Sequence, residues 1–432
     1  MKTKNIIIIL SQYYPAVTPN VLRWEKISTE LIKQGHSVTI FTTKSNSTQN
    51  DYYNTEGIRI IRAGHNTLMD YWQYLNNSKN KRNEYNASTK KSGFIKKLVE
   101  SVINITWRKL YWPDGTCVWY FPAKNKLRSV LNDSNYDVVI SVGLPFTAHL
   151  VARSLKKLSP STKLIMDIED PFCYSDIFWV NNFSLYAQLN KKIEGICLSE
   201  AHKISVTNEN ALKMYLELFP KINHKISVIP PLLGYSTTNA NQVKTLEAGC
   251  IHLGYFGSFY SNVREPEVLI TFLNNVLNYF PELMEKMRIH IVGQLNPAHV
   301  LYFENINQSL NKNIIRYGFL EYRATQSLMS QMDALINVGN TTTYHLPSKI
   351  VDYLGANKPI VNLISNDDDS VKSLLSNNTL FLHLGPTFSQ SDILKFNDYI
   401  QKHLNIEFNH SLSLEKFKPL FITNQYLDMM NS

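Results

Sequence analysis

Four cysteines in 432 residues, Cys117, Cys173, Cys197 and Cys250, are too few and too scattered for a disulfide scaffold. None stands in a C-x-x-C pair, so no thiolate metal site is expected, and the usage suits a reducing cytoplasm. No apolar run approaches the length that crosses a bilayer. Lys2 and Lys4 before Ile6 to Leu10 imitate the start of a leader, but the run is short and Ser11-Gln12-Tyr13-Tyr14-Pro15 follows at once. That stretch reads as a buried first strand. There is no Walker loop, G-x-S-x-G or kinase signature, and the 12 histidines form no H-x-x-x-H pair. Acidic side chains are the scarcer sign: 35 against 44 Lys and Arg, a net charge of +9. The excess fits nucleic acid, an anionic membrane surface or phosphate-bearing substrates. Because the basic residues are spread widely and no nucleic-acid module occurs, no nucleic-acid partner is expected.

What is present is a globular composition, 44% hydrophobic and 12% aromatic, in a chain long enough for two domains. Asn5 to Leu10, a helical pattern over Leu22, Ile27, Leu31 and Ile32, and Val38 to Phe41 form a strand–helix–strand unit. Further strands are expected at Ile58–Ile61, Asp137–Ser141, Leu164–Ile168, Lys203–Val206 and Ile226–Ile229. Ser236 to Gln242 is polar and apolar-poor, as a linker is. The alternation restarts at Ile251–Phe256 and continues through Arg288–Val292, Ile314–Tyr317 and Ala334–Val338. The expected fold is α/β: two doubly wound, Rossmann-like domains facing a cleft. We place an N-terminal domain at 1–235, a linker at 236–249 and a C-terminal domain at 250–410. Residues 411–432 form a tail, helical and packed back on the N-terminal domain.

Asn66 to Lys91 is polar and breaks the pattern. After it, Ile95, Leu98, Val99, Val102 and Ile103 share one helical face, flanked by Lys96, Lys97, Arg108 and Lys109, with Trp107, Tyr111 and Trp112 close behind. Such a stretch fits contact with an anionic membrane surface and equally a face packed on its own domain.

The stretch with most chemistry is Thr341 to Val361. It runs from a strand through a polar loop into a helix at Pro347, with Ile350, Tyr353 and Leu354 on one face, and Asn357 stops it. Ser348 and Lys349 stand at the helix start, where free N–H groups favour an anion, and Asp352 one turn on can accept from a diol. Phosphates first and ribose second suit a nucleoside diphosphate; an ordinary amphipathic helix is the competing reading. Upstream, Gly257-Ser258 follow a strand, and Arg264 can grip phosphate through its fork or simply be a solvated loop residue.

The Thr341–Val361 segment resembles the donor-binding signature of family-4 glycosyltransferases with the GT-B fold, in the subset making bacterial surface polysaccharides. That subset carries P-S-K-x-x-(D/E)-Y-L-x-x-x-K-P, matched by Pro347, Ser348, Lys349, Asp352, Tyr353, Leu354, Lys358 and Pro359. The broader family has two acidic residues with seven between them; Asp352 fills the second position, and Tyr344 occupies the first. In the N-terminal half, K-Q-G-H-S-V-T-I-F-T-T resembles the first GT-B unit, without the Gly-Gly pair many relatives carry. Arg23 matches an arginine common in the subset, although a solvated helix residue would look the same. Pro113, Asp114 and Trp119, then Ser141, Pro145 and Phe146, then Asp167, Asp170, Pro171 and Phe172 match three further elements. Glu169 replaces an arginine usual in the last, and Val142-Gly143 stand where some relatives have a histidine, with His149 offset into the following helix.

The resemblance implies transfer of a sugar from a nucleotide-sugar, UDP-linked, to a lipid-linked glycan in capsule, O-antigen or exopolysaccharide synthesis. It implies retained anomeric configuration and no bound metal or other cofactor, the nucleotide-sugar being a co-substrate. It assigns donor binding to Gly257, Ser258, Arg264, Gly293, Gly318, Leu320, Pro347, Ser348, Lys349 and Asp352. Asp170, Arg264 and Lys349 would be catalytic, with Arg23, His149 and Asp167 on the acceptor side. The place implied is the cytoplasm, with peripheral contact at the inner face of the cell membrane if the basic amphipathic stretch docks there. A UDP-sugar epimerase of the same fold, or a non-catalytic nucleotide-sugar binder, remain alternatives. Asp367-Asp368-Asp369 imitates a D-x-D metal motif but precedes a helical pattern, where acids suit the N-terminal dipole.

Overall fold

The computed structural model describes residues 2–16, 18–44, 52–55, 57–68, 70, 107, 109–174, 180–233, 246–347, 349–375, 381–404 and 414–432. The amphipathic run Ile95 to Ile103, Ser348 and linker residues 236–245 lie outside them. The chain divides into two units. One comprises Met1–Thr207, Tyr215–Ile229 and Ile422–Ser432; the other comprises Asn208–Met214 and Pro230–Phe421.

In the first unit, apolar runs become the inner strands, buried on both faces, with further strands outside them. They are β1 (Asn5–Ile9), β2 (Ser37–Lys44), β3 (Tyr52–Thr55), β4 (Ile58–His65), β5 (Val138–Gly143), β6 (Lys163–Ile168), β7 (Lys203–Val206) and β8 (Ile226–Val228). Their order is β3-β4-β2-β1-β5-β6-β7-β8, parallel except for the antiparallel β3–β4 edge pair. Helix α1 (Pro19–Lys33) starts at Thr18, whose hydroxyl accepts from Val21 N–H, and Gly35 with φ +85° takes the left-handed turn beyond its end. Its buried face carries Val21, Trp24, Ile27 and Leu31. Helices α2 (Tyr120–Asp133), α3 (Thr147–Leu158) and α4 (Phe183–Glu200) follow.

The second unit has β9 (Ile251–Phe256), β10 (Met287–Val292), β11 (Ile314–Gly318), β12 (Ala334–Val338), β13 (Ile360–Leu363) and β14 (Phe381–Leu384). All are parallel, in the order β11-β10-β9-β12-β13-β14. Alternate residues enter separate cores, as a period of two requires. Leu253, Tyr255, Ile336 and Val338 pack with α5 (Pro266–Tyr279) through Leu269, Phe272 and Leu273. Phe256 and Leu335 join Leu328 and Met329 of α6 (Tyr322–Ser330) and Ile350, Val351, Tyr353 and Leu354 of α7 (Lys349–Gly355). Each such apolar side chain removed from water contributes about 1.5–3 kcal/mol. Helix α8 (Ser370–Leu375) is capped by Asp369, whose carboxylate accepts from Val371 and Lys372 N–H groups. That capping is the dipole role expected of the acidic run. The C-terminal helix α9 (Pro419–Asn431) ends in the residues that belong to the first unit.

The first unit's edge departs from expectation. The strand expected over Ile58–Ile61 continues to His65, and β3 pairs with it antiparallel.

Candidate functional site

In the second unit the chain moves outward from β9 to β10 and β11, then returns to lay β12 beside β9. Open α/β sheets bind ligands outside the carboxyl ends of their strands at such a reversal. The loop after β9 supplies Gly257, Ser258 and Arg264, and the loop after β12 leads to Lys349. Tyr353 fastens the two. Its hydroxyl accepts from Phe256 N–H at 2.8 Å and lies 3.1 Å from the Ile336 carbonyl, to which it can donate.

Glycine is required where these segments crowd. A Cβ on Gly293 would drive into the Gly257 carbonyl, and one on Gly257 would meet Lys349 Cδ and Nζ at 3.2 Å. Both have positive φ, +147° and +152°. Gly257 N–H donates to Val292 O at 2.7 Å, and Gly293 N–H to Gly318 O at 2.9 Å, so three glycines stack along the strand ends.

Two cations lie against this stack. Arg264 is buried, with Nη2 donating to Asn340 Oδ1 at 2.7 Å and Nη1 standing 3.5 Å from the Ser258 carbonyl. Lys349 Nζ is buried, has no hydrogen-bond partner among the described residues, and sits 3.9 Å above the Tyr255 ring. Burial, with Arg264 nearby, pushes its pKa well below the ordinary lysine value. Among the described residues no carboxylate forms an ion pair with either cation. A buried arginine beside a lysine amine that burial disposes to lose its proton, with no counter-charge among the described residues, is an arrangement that a bound anion relieves. Helix α7 has only seven residues, so the preference for an anion rests on side chains more than on a dipole.

The remaining donor-side residues are arranged around this pair. Asp352, half-buried one turn into α7, accepts from Tyr322 OH at 3.4 Å. Pro347 is buried, its carbonyl accepting from Ile350 N–H at 3.0 Å. Leu320 packs partly buried on the core face that α7 covers. At the position of the family's first acid, the Tyr344 ring is buried beside His345, centroids 4.4 Å apart.

The first unit has its own reversal, between β1 and β5. At the end of β5, His149 reaches back from α3, its Nδ1 2.7 Å from Ser141 Oγ. Its Nε2 fills the space a Cβ on Gly143 would need. The histidine offset in sequence is thus delivered to the end of β5. Burial lowers its pKa to about 3, so the imidazole is neutral.

Arg23 and Asp167 come together, with Glu169 and Tyr426, in a separate buried cluster. Arg23 Nη2 donates to Tyr426 OH at 3.1 Å, Tyr426 OH donates to Asp167 Oδ1 at 2.7 Å, and Arg23 Nε is 3.7 Å from Glu169 Oε1. Burial first, then the Asp167 carboxylate, raise Glu169 well above the usual range, and Arg23 only partly opposes them. Asp170 is exposed on the turn after β6. Other motif residues serve as braces. Asp114 accepts from the N–H and hydroxyl groups of both Thr116 and Thr147, Phe146 stacks on Phe172 at 4.0 Å, and Trp119 is fully buried.

No protein-family model matches the sequence, and no curated protein matches it. Solved structures do share its fold. A sucrose-phosphate synthase from Thermosynechococcus elongatus covers 99% of this chain and 96% of its own at 12% identity, TM-score 0.57. An α,α-trehalose-phosphate synthase (UDP-forming) from Burkholderia xenovorans, in complex with glucose-6-phosphate, covers 99% and 100% at 10% identity, TM-score 0.64. A glycosyltransferase from Rickettsia africae ESF-5 covers 100% and 98% at 12% identity, TM-score 0.55. At such identities the likeness is one of fold: two doubly wound α/β domains of the GT-B type.

Several participants had no local signal. Tyr255 reads as one more strand residue, Asn340 as loop, and Tyr426 as part of a tail helix. Each matters through a partner far along the chain. Glu169 did carry a signal, as a departure from a pattern, and its place 3.7 Å from Arg23 in the buried cluster gives the departure a local setting. Among the described residues, no helix is long and apolar enough to cross a membrane, and no group of three His, Cys, Asp or Glu is placed to hold a metal.

Proposed function

We propose that this protein is a glycosyltransferase that takes a sugar from UDP and passes it to an acceptor hydroxyl, with the nucleotide held in the second unit. The observation that carries the proposal is the buried Lys349 ammonium, without a hydrogen-bond partner among the described residues and close to Arg264 at the sheet reversal. A departing diphosphate gathers negative charge as the sugar–oxygen bond breaks, and two fixed cations in a dry site stabilise that charge. Asp352 is assigned to the ribose diol as a two-oxygen acceptor, with Tyr322 steadying it. Gly257 and Gly293 keep the backbone low enough for the phosphates. A further structure of this fold, from E. coli, is bound with UDP-2-fluoro glucose, which supports the choice of nucleotide.

The acceptor is assigned from the sequence resemblance: a lipid-linked glycan in bacterial surface-polysaccharide synthesis, with retention of configuration. Asp170 and the neutral His149 are the first-unit groups assigned to it, as hydrogen-bonding partners of a hydroxyl.

Incubation of the full chain with a panel of UDP-hexoses and UDP-N-acetylhexosamines, with and without an extract of lipid-linked glycans, tests this reading. Release of UDP from one donor, accelerated by the extract, is expected. Interconversion of UDP-sugars without acceptor would make the protein an epimerase, and tight binding without release a non-catalytic binder; either result replaces the transferase reading.

A further inference from the structure

A cavity of about 1180 Å³ opens in the first unit between helices α2 and α3, and none of the candidate site residues lines it. Its floor is aromatic and aliphatic, with Trp107, Trp112, Leu150 and Ile193 among the lining. Trp112 is held in place by its Nε1, which donates to Asn190 Oδ1 at 3.0 Å. Two further lining side chains, Phe121 and Leu158, are 71% and 42% exposed, which extends the apolar lining to the surface. The volume exceeds that of pockets built for compact small molecules, roughly 300–1,000 Å³.

Among the described residues the charges around it are all of one sign. Lys124 and Arg128 stand four residues apart on α2, and Arg153 and Lys157 four apart on α3; no described Asp or Glu lines the cavity. Like charges at that spacing repel. Arg153 is neutralised by a bidentate pair with Glu200, both bonds 2.7 Å. Among the described residues, Lys124, Arg128 and Lys157 have no carboxylate in ion-pair range. The fold therefore keeps an apolar trough between two helices and rims it with three cations that no described carboxylate pairs directly, Lys157 sharing only the longer-range field of Glu200.

We propose that this groove binds an anionic single-chain amphiphile, an acyl or prenyl phosphate, with its tail along the aromatic floor and its head against Lys124, Arg128 and Lys157. A free phosphate would leave the apolar floor in water, and an uncharged lipid would leave the cations unanswered. Only a molecule carrying both parts satisfies the groove. The test does not depend on the sugar-transfer reading, because none of the residues assigned to donor or acceptor is among the described lining and binding is read without turnover.

Calorimetric titration of the full chain with decyl phosphate below its micellar concentration tests the proposal, beside decyl maltoside and inorganic phosphate. Saturable binding of decyl phosphate is expected, with a shift in emission from Trp107 and Trp112. Inorganic phosphate and decyl maltoside should each bind more weakly by about tenfold or more, the worth of one missing favourable contact. Arg128→Glu with Lys157→Glu changes two exposed side chains, one on each helix, and folding of the variant is checked by its thermal melt. It should lose decyl phosphate by about tenfold or more and leave decyl maltoside unchanged. Absence of saturable binding, equal affinity for the phosphate and the maltoside, or indifference to charge reversal in a folded variant would each overturn it.

Discussion

The Tyr426 hydroxyl donates to Asp167 Oδ1 at 2.7 Å, joining the C-terminal helix to a strand 259 residues earlier in sequence. The same oxygen of Tyr426 accepts from Arg23, and its ring lies 5.0 Å from Trp24. The last residues of the chain are thus pinned by a buried polar cluster as well as by packing. Tyr426→Phe keeps the ring and removes the bridge, leaving Asp167 Oδ1 with Ser205 alone among its described donors. The expected cost is about 1–3 kcal/mol, read as a lower urea midpoint at unchanged m-value. An unchanged midpoint would mean that the bridge is incidental.

Glu169 gives the cluster a pH dependence whose sign is fixed. Its folded pKa is raised by burial and Asp167, so the native state keeps a proton that the unfolded chain releases near its ordinary pKa of about 4.3. The stability it contributes is present below that value and is lost as pH rises through the folded pKa. Glu169→Gln is neutral at every pH and lacks this loss. Thermal midpoints of the two proteins, measured from about pH 5 to pH 9, should diverge, with the wild type falling relative to the variant. Parallel curves would show that Glu169 is charged in the folded state.

His149 and Gly143 form a pair in which one side chain occupies the space the other lacks. Gly143→Ala should cost about 1–3 kcal/mol, as overpacking does. In a His149→Ala background most of that penalty should vanish, because the ring that collides with the new methyl is gone. A double-mutant cycle by chemical denaturation measures the difference. Additive effects would place the imidazole elsewhere.

The α/β alternation was legible because parallel strands buried on both faces leave little pattern to misread. Ile251–Phe256 and Ala334–Val338 are strands over those same residues. Tyr52–Thr55 offered no such run: it is a four-residue edge strand with β4 as its neighbour, too short and too polar at Asn54-Thr55 to stand out as an apolar stretch. Lys349 and Arg264 could be named one at a time from local motifs. Their shared lack of a carboxylate partner among the described residues, and the Tyr255 ring beneath the Lys349 Nζ, depend on contacts between distant segments that no window of sequence contains. Asp167 shows the opposite limit. Its place at a strand end suggested a ligand contact, while one carboxylate oxygen serves Ser205 and Tyr426.

In the proposed function, Lys349 is the group that meets the diphosphate, and calorimetric titration of UDP into wild type and Lys349→Met tests this most directly. An anion beside the ammonium reverses the lowering of its pKa, so binding should take up a proton and weaken as pH rises. Methionine keeps much of the stem that packs near Gly257 and removes the charge. The account predicts saturable UDP binding by the wild type. It also predicts a loss of about 1.5–3 kcal/mol in the variant, roughly tenfold to a hundredfold in affinity. Equal affinity in the two proteins would contradict it.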